Sequence, residues 1–314
     1  MTAIGFADPE AHIRVSAFQR LDQLTALYGP ALPWSVIAQG FNVSREKFLF
    51  ASAAEGIFKP ATMSGPLSIK TVVPKPKGRI WYHDQADGEN RLRSVDETLP
   101  YAFKGKDPNE TRNQWLQQAM ERHLPLIYFF GIAPGVYQPL YPVHITDWNP
   151  VDLTCHVAMA STASQQGLWL PAPPDERRYA MRQVKQRLHQ SMFRARVMDA
   201  YGARCALTGL PAIQLLDAAH IVPDADIDLG QPDVRNGVCV SKIHHAAYDA
   251  NLIGIDPDYK IHVAETLMEM HDGPMLEQGI KALEGRVLRL PSHKDAWPDR
   301  DRLAIRFETF WKAA

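Results

Sequence analysis

The spacing of apolar residues predicts helices and strands in mixed order along the chain. Apolar positions three or four apart predict amphipathic helices over 10–28, 109–122, 176–200 and 299–312. Apolar and aromatic runs bounded by proline and glycine predict strands over 126–132 and 136–146. The prolines within 136–146 confine at least part of that strand to a sheet edge. The first half of the chain therefore predicts an α+β domain, a mixed α/β arrangement built on a bent sheet or small barrel.

The start of the chain is also compatible with a second interpretation. A helix over 10–28, a short helix over 33–41 and a strand over 47–51 follow one another. This helix–helix–strand order also occurs in winged-helix domains, so that alternative stays open beside the bent sheet.

A strand, a polar loop, a second strand and a helix are predicted in the second half. The apolar step over 218–222 predicts the first strand, which Pro223 ends because proline cannot donate to a β-ladder. The loop that follows is rich in turn-forming residues. Residues 237–240 predict the second strand, and the composition of 244–252 favours a helix.

Two histidines in this segment suggest hydrolytic chemistry at a metal ion. His245 and Asp249 are four residues apart on the predicted helix, so both can bind one divalent cation. The His220 imidazole, with its near-neutral pKa, suits a general base that deprotonates water. Asp217 is a candidate third ligand, although a regular strand directs it away from the His220 face. Asn236 is expected to hold the loop so that His220 is correctly oriented.

This constellation resembles the HNH endonuclease family, whose core is a ββα-metal finger. The resemblance rests on Ala-Ala-His-Ile-Val-Pro over 218–223, Asn-Gly over 236–237 and His-x-x-x-Asp over 245–249, followed by Leu-Ile-Gly-Ile-Asp. It implies a C-terminal HNH nuclease that uses His220, Asn236 and His245 in catalysis. It also implies a divalent cation, Mg²⁺ or Mn²⁺, with Ni²⁺ and Zn²⁺ as alternatives.

The chain departs from the family pattern at one position. Many members carry a metal-binding Asp or His directly before the general base, where this sequence has Ala219. The predicted metal ligands are therefore Asp217, His245 and Asp249. If Asp217 is not a ligand, water and phosphate oxygens complete the shell, as they usually do for Mg²⁺.

A structural zinc site is the main rival interpretation of the same segment. Cys205, His220, Cys239 and His244 could form a Cys₂His₂ set, although no Cys-x₂-Cys pair is present. Such a protein would be a DNA-binding regulator without hydrolysis. A sequence-tolerant toxin or homing-type nuclease is the other alternative, and in both the N-terminal half would have a different task.

The N-terminal half resembles, more loosely, the PUA-like or SRA-like readers of modified bases that accompany HNH domains in restriction enzymes. That resemblance rests on the run from Pro125 to Tyr137 and on Gly-Ile-Phe-Lys-Pro over 56–60. A base flipped out of DNA needs an aromatic or apolar slot with a few polar groups. The candidate slot residues are the aromatics Trp81, Tyr82, Tyr101, Tyr128 and Tyr137, with Tyr141 and Trp148 as further candidates.

The predicted helix over 176–200 carries the clearest local positive charge. The net charge of the whole chain is −1, so DNA binding must depend on such local patches. The candidate phosphate contacts on this helix are Arg178, Arg182, Lys185, Arg187, Arg194 and Arg196.

Length and composition complete the prediction. A chain of 314 residues accommodates two domains, predicted as 1–162 for DNA recognition and 176–314 for the nuclease, with a linker at 163–175. Three widely spaced cysteines, no signal peptide and no long apolar run favour the cytoplasm. The resemblance implies a modification-dependent, type IV-like restriction enzyme that acts on foreign double-stranded DNA with modified cytosine. Because one HNH unit cuts one strand, a homodimer is expected.

Overall fold

The computed structural model describes residues 8–74, 98–160, 174–223, 226, 229–230, 233–271 and 273–313. The chain divides into two compact units, Met1–Ser191 and Met192–Ala314. Residues 163–173 of the predicted linker lie outside the described residues, and the domain boundaries proposed from the sequence stay a prediction. None of the helices in the described part of the chain is long and apolar enough to cross a membrane.

Helices in the first unit follow the predicted apolar spacing closely. They are α1 (Ala11–Tyr28), α2 (Trp34–Ile37), α3 (Thr111–Glu121) and α4 (Pro174–Ala200), which continues into the second unit. Gly29, at φ 90°, ends α1 in a backbone conformation that favours glycine. Because α2 is a single turn, it is too short to serve as the recognition helix of a winged-helix domain.

The first unit is built on one mixed sheet. Its strands are β1 (Leu32–Pro33), β4 (Ile57–Phe58), β5 (Ser68–Lys70), β6 (Leu99–Ala102), β7 (Leu126–Ala133), β8 (Val136–Asn149) and β9 (Thr154–Met159). The order is β4–β5–β7–β8–β9–β6, with β1 paired to β8. Among the described strands, only β5 and β7 run parallel. A separate hairpin joins β2 (Phe41–Val43) to β3 (Glu46–Phe48).

Irregular register bends this sheet. The β7–β8 ladder shifts between Leu126 and Tyr128 and again between Gly131 and Ala133, and the β8–β9 ladder shifts after Ile145. Such shifts kink a strand and increase its local twist. The predicted α+β class with a bent sheet is confirmed as a mixed α/β unit with a curled, half-barrel sheet.

The core of the first unit lies between α1, the β2–β3 hairpin and one face of the sheet. Phe18, Leu21, Phe50 and Phe129 are among its buried side chains. Arg14 interrupts the expected polar face of α1, because its side chain is fully buried. Its guanidinium donates to Asp8 at 2.7 Å and to the carbonyls of Pro66 and Pro125 at 2.7 and 3.0 Å. These partners explain how a charged side chain is accommodated there.

The second unit contains two small β-ribbons surrounded by helices. Its strands are β10 (Leu216–His220), β11 (Gly237–Ser241), β12 (Ile253–Ile255) and β13 (Ile261–Val263). Its helices, after the end of α4, are α5 (Lys242–Asp249), α6 (Glu265–Met268), α7 (Pro274–Gly279) and α8 (Arg300–Ala313). The final helix packs on the core of this unit through Leu303.

Candidate active site

A ββα arrangement holds the predicted catalytic segment. Strands β10 and β11 pair antiparallel without a register shift, from Leu216 opposite Ser241 to His220 opposite Gly237. Helix α5 starts directly after β11, and the Ser241 hydroxyl accepts a hydrogen bond from the His244 amide at its first turn. The predicted strand, loop, strand and helix are therefore all present.

The side chains of Asp217, His245 and Asp249 lie in one chain of contacts. His245 Nδ1 is 3.1 Å from Asp217 Oδ2, and His245 Nε2 is 3.4 Å from Asp249 Oδ2. The hydrogen bond to Asp217 raises the pKa of His245 above its ordinary value despite partial burial, and the charge of Asp249 adds to that shift. Burial alone would raise the pKa of Asp217, but the hydrogen bonds from His245 and the Ala218 amide hold it below its usual value.

These side chains fit a divalent cation that is bound in part by water. Within the described residues, no three His, Cys, Asp or Glu side chains form a complete metal site. However, the 3.4 Å between His245 Nε2 and Asp249 Oδ2 suits two donors to one cation. A carboxylate on the other ring nitrogen, here that of Asp217, is the usual partner of a metal-binding histidine. Mg²⁺ commonly takes one or two protein carboxylates and keeps several waters.

Arg194 of α4 also contacts Asp217. Its Nε is 3.4 Å from Asp217 Oδ1, and its Nη2 donates to the Leu216 carbonyl at 2.7 Å. A residue that the sequence suggested for phosphate contact therefore fixes the start of β10 and the carboxylate beside His245.

His220 lies at the end of β10 against α4. Its ring stacks on Phe193 with centroids 3.9 Å apart and planes 13° from parallel. Gly237, opposite His220 in the ladder, makes room for this packing: a Cβ there would lie 2.8 Å from Phe193 Cζ and 2.4 Å from Val197 Cγ2. Phe193 and Gly237 thus position the imidazole. The sequence pattern included Gly237 only as part of the Asn-Gly motif, and it did not single out Phe193.

Asn236 ties down the chain immediately after His220. Its side chain is fully buried; Oδ1 accepts from the Val222 amide at 2.9 Å, and Nδ2 donates to the Val222 carbonyl at 3.0 Å. The Asn236 carbonyl also accepts from the Ile221 amide at 2.9 Å. These contacts are those expected of a residue that fixes the loop and thereby the orientation of His220.

Apart from a contact between Cys205 and His244, the residues of the zinc alternative have other partners. His244 Nδ1 is 2.8 Å from Ser241 Oγ and 3.6 Å from Cys205 Sγ, and His244 Nε2 donates to the Gly279 carbonyl at 2.8 Å. Cys239 Sγ contacts Met198 Sδ at 3.5 Å. Since the described residues contain no assembled three-residue metal group, the geometry gives no support to a Cys₂His₂ site.

Comparison with protein families decides the identity of this segment. Residues 205–256 match the family model described as HNH endonuclease. This segment is an HNH endonuclease domain. The chain is accordingly a nuclease. The HNH domain supports its classification as a DNA endonuclease. The match begins at Cys205 and ends at Asp256, so it contains every predicted catalytic and metal-binding residue.

Other comparisons add little to the HNH assignment. A search of curated proteins gives no match. One similar solved structure is described as a modification-dependent TagI restriction endonuclease, with 14% identity and a TM-score of 0.31 over 77% of this chain and 80% of that one. A likeness at this level carries no conclusion about fold or function.

Three of the aromatic residues predicted to form a base slot in the first unit are buried. Tyr101, Tyr128 and Tyr137 are at most 5% exposed. The Tyr101 and Tyr128 rings pack edge to face, and Tyr128 Oη is 2.6 Å from Thr71 Oγ1. They are core residues because large aromatics on strands bury most surface inside the sheet. Trp81 and Tyr82 lie outside the described residues.

Most of the predicted phosphate-binding residues on α4 remain accessible. Arg178, Arg182, Arg187 and Arg196 are exposed, and Lys185 is half-buried. Arg178 forms an ion pair with Asp175 one turn earlier. The helix therefore presents a positively charged surface, whereas Arg194 is held at β10.

Proposed function

We propose that this protein is a metal-dependent DNA endonuclease of the restriction type that acts on DNA carrying modified cytosine. The observation that carries the nuclease part is the contact chain Asp217–His245–Asp249 in an HNH domain whose His220 is oriented by Phe193. Carboxylate and imidazole groups in this order suit phosphodiester hydrolysis.

His220 acts in this proposal as the general base. Its imidazole takes one proton from a water molecule, and the water oxygen forms a bond to phosphorus. The bond from phosphorus to the leaving sugar oxygen then breaks, and that oxygen is protonated by solvent. The Phe193 ring and the Asn236 contacts keep the imidazole in place for this transfer.

His245 and Asp249 are proposed to hold the cation. A divalent ion there would neutralise charge on the scissile phosphate and polarise the leaving oxygen. Asp217 is proposed chiefly as the carboxylate that orients His245 Nδ1, because it already contacts that nitrogen at 3.1 Å and Arg194 at 3.4 Å. Its direct ligation of the cation remains the alternative assignment.

The exposed basic residues of α4 are proposed to contact the DNA backbone. Arg182 and Arg196 are exposed, and α4 carries them on the same helix as Phe193. Phosphate contacts of this kind supply affinity without sequence choice. A double-strand break would need two HNH domains, which favours a homodimer.

The choice of modified DNA is assigned to the first unit. Its mixed sheet is compatible with the PUA-like or SRA-like class that the sequence resembles. Restriction of foreign DNA follows from that choice, because an enzyme that cuts only modified DNA spares an unmodified host genome. The three free, buried cysteines fit a reducing compartment such as the cytoplasm.

The test is cleavage of defined DNA by the full-length protein and by His220→Ala. Each is incubated with Mg²⁺, Mn²⁺ or Ni²⁺ and with plasmids carrying cytosine, 5-methylcytosine or 5-hydroxymethylcytosine. The proposal predicts cleavage of modified plasmid only, and none by the variant. Equal cleavage of all plasmids would support a sequence-tolerant nuclease. Cleavage by none would contradict the nuclease assignment and favour a DNA-binding regulator.

A further inference from the structure

A cavity of about 240 Å³ lies in the first unit, beside strand β8. Its walls include Gln138, Pro139 and Tyr141 of β8, Asp22 of α1 and Arg187 of α4. Leu140, Met159 and Val184 add apolar surface. The cavity therefore combines an apolar lining with a small number of polar groups, as ligand sites usually do.

Gln138 is the unusual member of this lining. It is only 3% exposed, and its side-chain Oε1 has no hydrogen-bond partner among the described residues. A buried amide oxygen without a partner is costly, so proteins normally satisfy it. A glutamine amide offers both an acceptor and two donors. A ligand with a donor and an acceptor side by side would satisfy this group.

Tyr141, Asp22 and Arg187 are further polar residues of the cavity lining. Tyr141 donates its hydroxyl proton to Asp22 Oδ1 at 2.8 Å. Burial first, and then the bond to Asp22, raises the pKa of Tyr141 well above its ordinary value, so the phenol stays protonated. The other carboxyl oxygen of Asp22 can accept a further hydrogen bond. Arg187 is exposed and places a guanidinium on the same lining.

The volume limits what can enter. About 240 Å³ corresponds to roughly eight water molecules, at about 30 Å³ each, and lies below the usual size of a site for a drug-sized ligand. A single heterocyclic base is of this scale, whereas a dinucleotide is not. Among bases, cytosine presents an amino donor beside ring and carbonyl acceptors, and an acidic side chain commonly accepts from its N4 amino group.

We propose that this cavity takes a cytosine-type base flipped out of duplex DNA. The Gln138 amide accepts from the N4 amino group and donates to the neighbouring acceptor, while Asp22 accepts the second amino hydrogen. Met159 and Val184 offer apolar surface to a substituent on C5, and Arg187 binds a flanking phosphate. This inference rests on the proposed action on DNA. It assigns the base to a site whose lining includes Tyr141, one of the aromatic candidates, but not Tyr101, Tyr128 or Tyr137.

The experiment measures DNA binding by the full-length protein in EDTA, so that no strand is cut. The probes are fluorescein-labelled duplexes with one central cytosine, 5-methylcytosine or 5-hydroxymethylcytosine. A second set carries 2-aminopurine beside that base, because its emission rises when its neighbour leaves the stack. Gln138→Leu removes the amide but keeps the bulk, and Gln118→Leu, at an exposed site on α3, is the matched control.

Wild-type protein and Gln118→Leu are expected to prefer a modified duplex and to raise the 2-aminopurine emission. Gln138→Leu is expected to lose about tenfold to hundredfold of that preference, the usual range for one bidentate base contact. Its thermal midpoint should equal or exceed that of the wild type, because a buried unpaired amide has been removed. A stable variant that binds poorly separates a ligand contact from a structural one.

Two results would overturn the inference. One is an unchanged preference in Gln138→Leu, and the other is a wild-type protein that binds all three duplexes alike. Nicking of the same duplexes with Mn²⁺ is measured in parallel, and His220→Ala reports on the nuclease. Nicking without base preference would leave the nuclease proposal intact and contradict base binding in the cavity. Base preference without nicking would support base binding and contradict the nuclease proposal.

Discussion

Replacement of Asn236 by alanine separates structural and catalytic effects in the HNH domain. The Asn236 side chain satisfies both backbone groups of Val222, with bonds of 2.9 and 3.0 Å, two residues after His220. Val222 is 3% exposed, so water does not readily replace the lost partners. The variant should therefore destabilise the fold and release the chain that orients His220.

The magnitude follows from two buried groups that lose their partners. Each unsatisfied backbone N–H or C=O costs about 1–3 kcal/mol, so Asn236→Ala should lower the free energy of unfolding by about 2–6 kcal/mol. Catalysis should fall further, because a displacement of about 1 Å in a catalytic group can reduce a rate about 100-fold.

Asn113 provides a matched control in the first unit. It is also fully buried; its Oδ1 accepts from the Lys104 amide at 2.8 Å, and its Nδ2 donates to the Lys104 carbonyl at 3.0 Å. Asn113→Ala should therefore cost a similar free energy of unfolding. Urea unfolding gives the stability of each variant, and single-turnover nicking is compared at a temperature where circular dichroism finds both folded.

The expected result is a comparable loss of stability in both variants with a nicking defect of about 100-fold in Asn236→Ala alone. A nicking rate in Asn236→Ala within a few fold of Asn113→Ala would refute the reasoning. It would mean that the asparagine stabilises the loop but has no part in orienting His220.

Three further predictions test other parts of the protein. Gly237→Ala should lower the free energy of unfolding by about 1–3 kcal/mol through overpacking, and it should abolish nicking. Gly254→Ala, whose Cβ would lie 2.5 Å from the Phe310 ring of α8, should cost as much but leave nicking intact. Urea unfolding and plasmid cleavage measure the two effects. Asp217→Asn should weaken Mn²⁺ binding about 10- to 100-fold in calorimetric titration, and Asp256→Asn, which alters a different carboxylate–histidine pair, should leave it unchanged. Burial lowers the pKa of Lys70 from 10.5 to about 8. Between about pH 8 and pH 10.5 the unfolded chain therefore binds more protons than the folded one, and the free energy of unfolding should rise with pH. Lys70→Met should remove this rise.

Local spacing was sufficient to predict the pair on α5. His245 and Asp249 are one helical turn apart, and their side chains meet at 3.4 Å because residues four apart share a helix face. The contact of His245 with Asp217 spans 28 residues, and it depends on the β10–β11 register and on where α5 begins. The sequence pattern does not contain that geometry. It therefore identified Asp217 as a candidate ligand but did not predict its contact with His245.

The support for His220 illustrates the same limit. Phe193 precedes His220 by 27 residues, in a helix whose apolar positions read as ordinary core. Their stacking, and the need for glycine at position 237, arise only when α4 packs on the β-ribbon. The close approach of the helix to Gly237 is therefore a tertiary property.

The charge or aromatic character of a residue was the least reliable guide to the environment of its side chain in the fold. Arg14 reads as part of a polar helix face, yet its Nε and Nη1 donate to Asp8 and to two long-range carbonyls in the core. Arg194 reads as a phosphate contact, yet it binds the Leu216 carbonyl and approaches Asp217. Composition reports that a group is charged, but only the fold determines whether protein or solvent neutralises it.

The central claim is that His220 is the base of a phosphodiester hydrolysis. The most direct test is single-turnover nicking of a modified duplex at saturating Mn²⁺ by His220→Ala and by His262→Ala. His262, which pairs with Asp256 at 2.9 Å, is a histidine of the same unit outside the proposed site. His220→Ala is expected to lose at least about 100-fold in rate, the lower range for a general base, while His262→Ala is expected to cut like the wild type. Equal rates in His220→Ala and the wild type would contradict the claim.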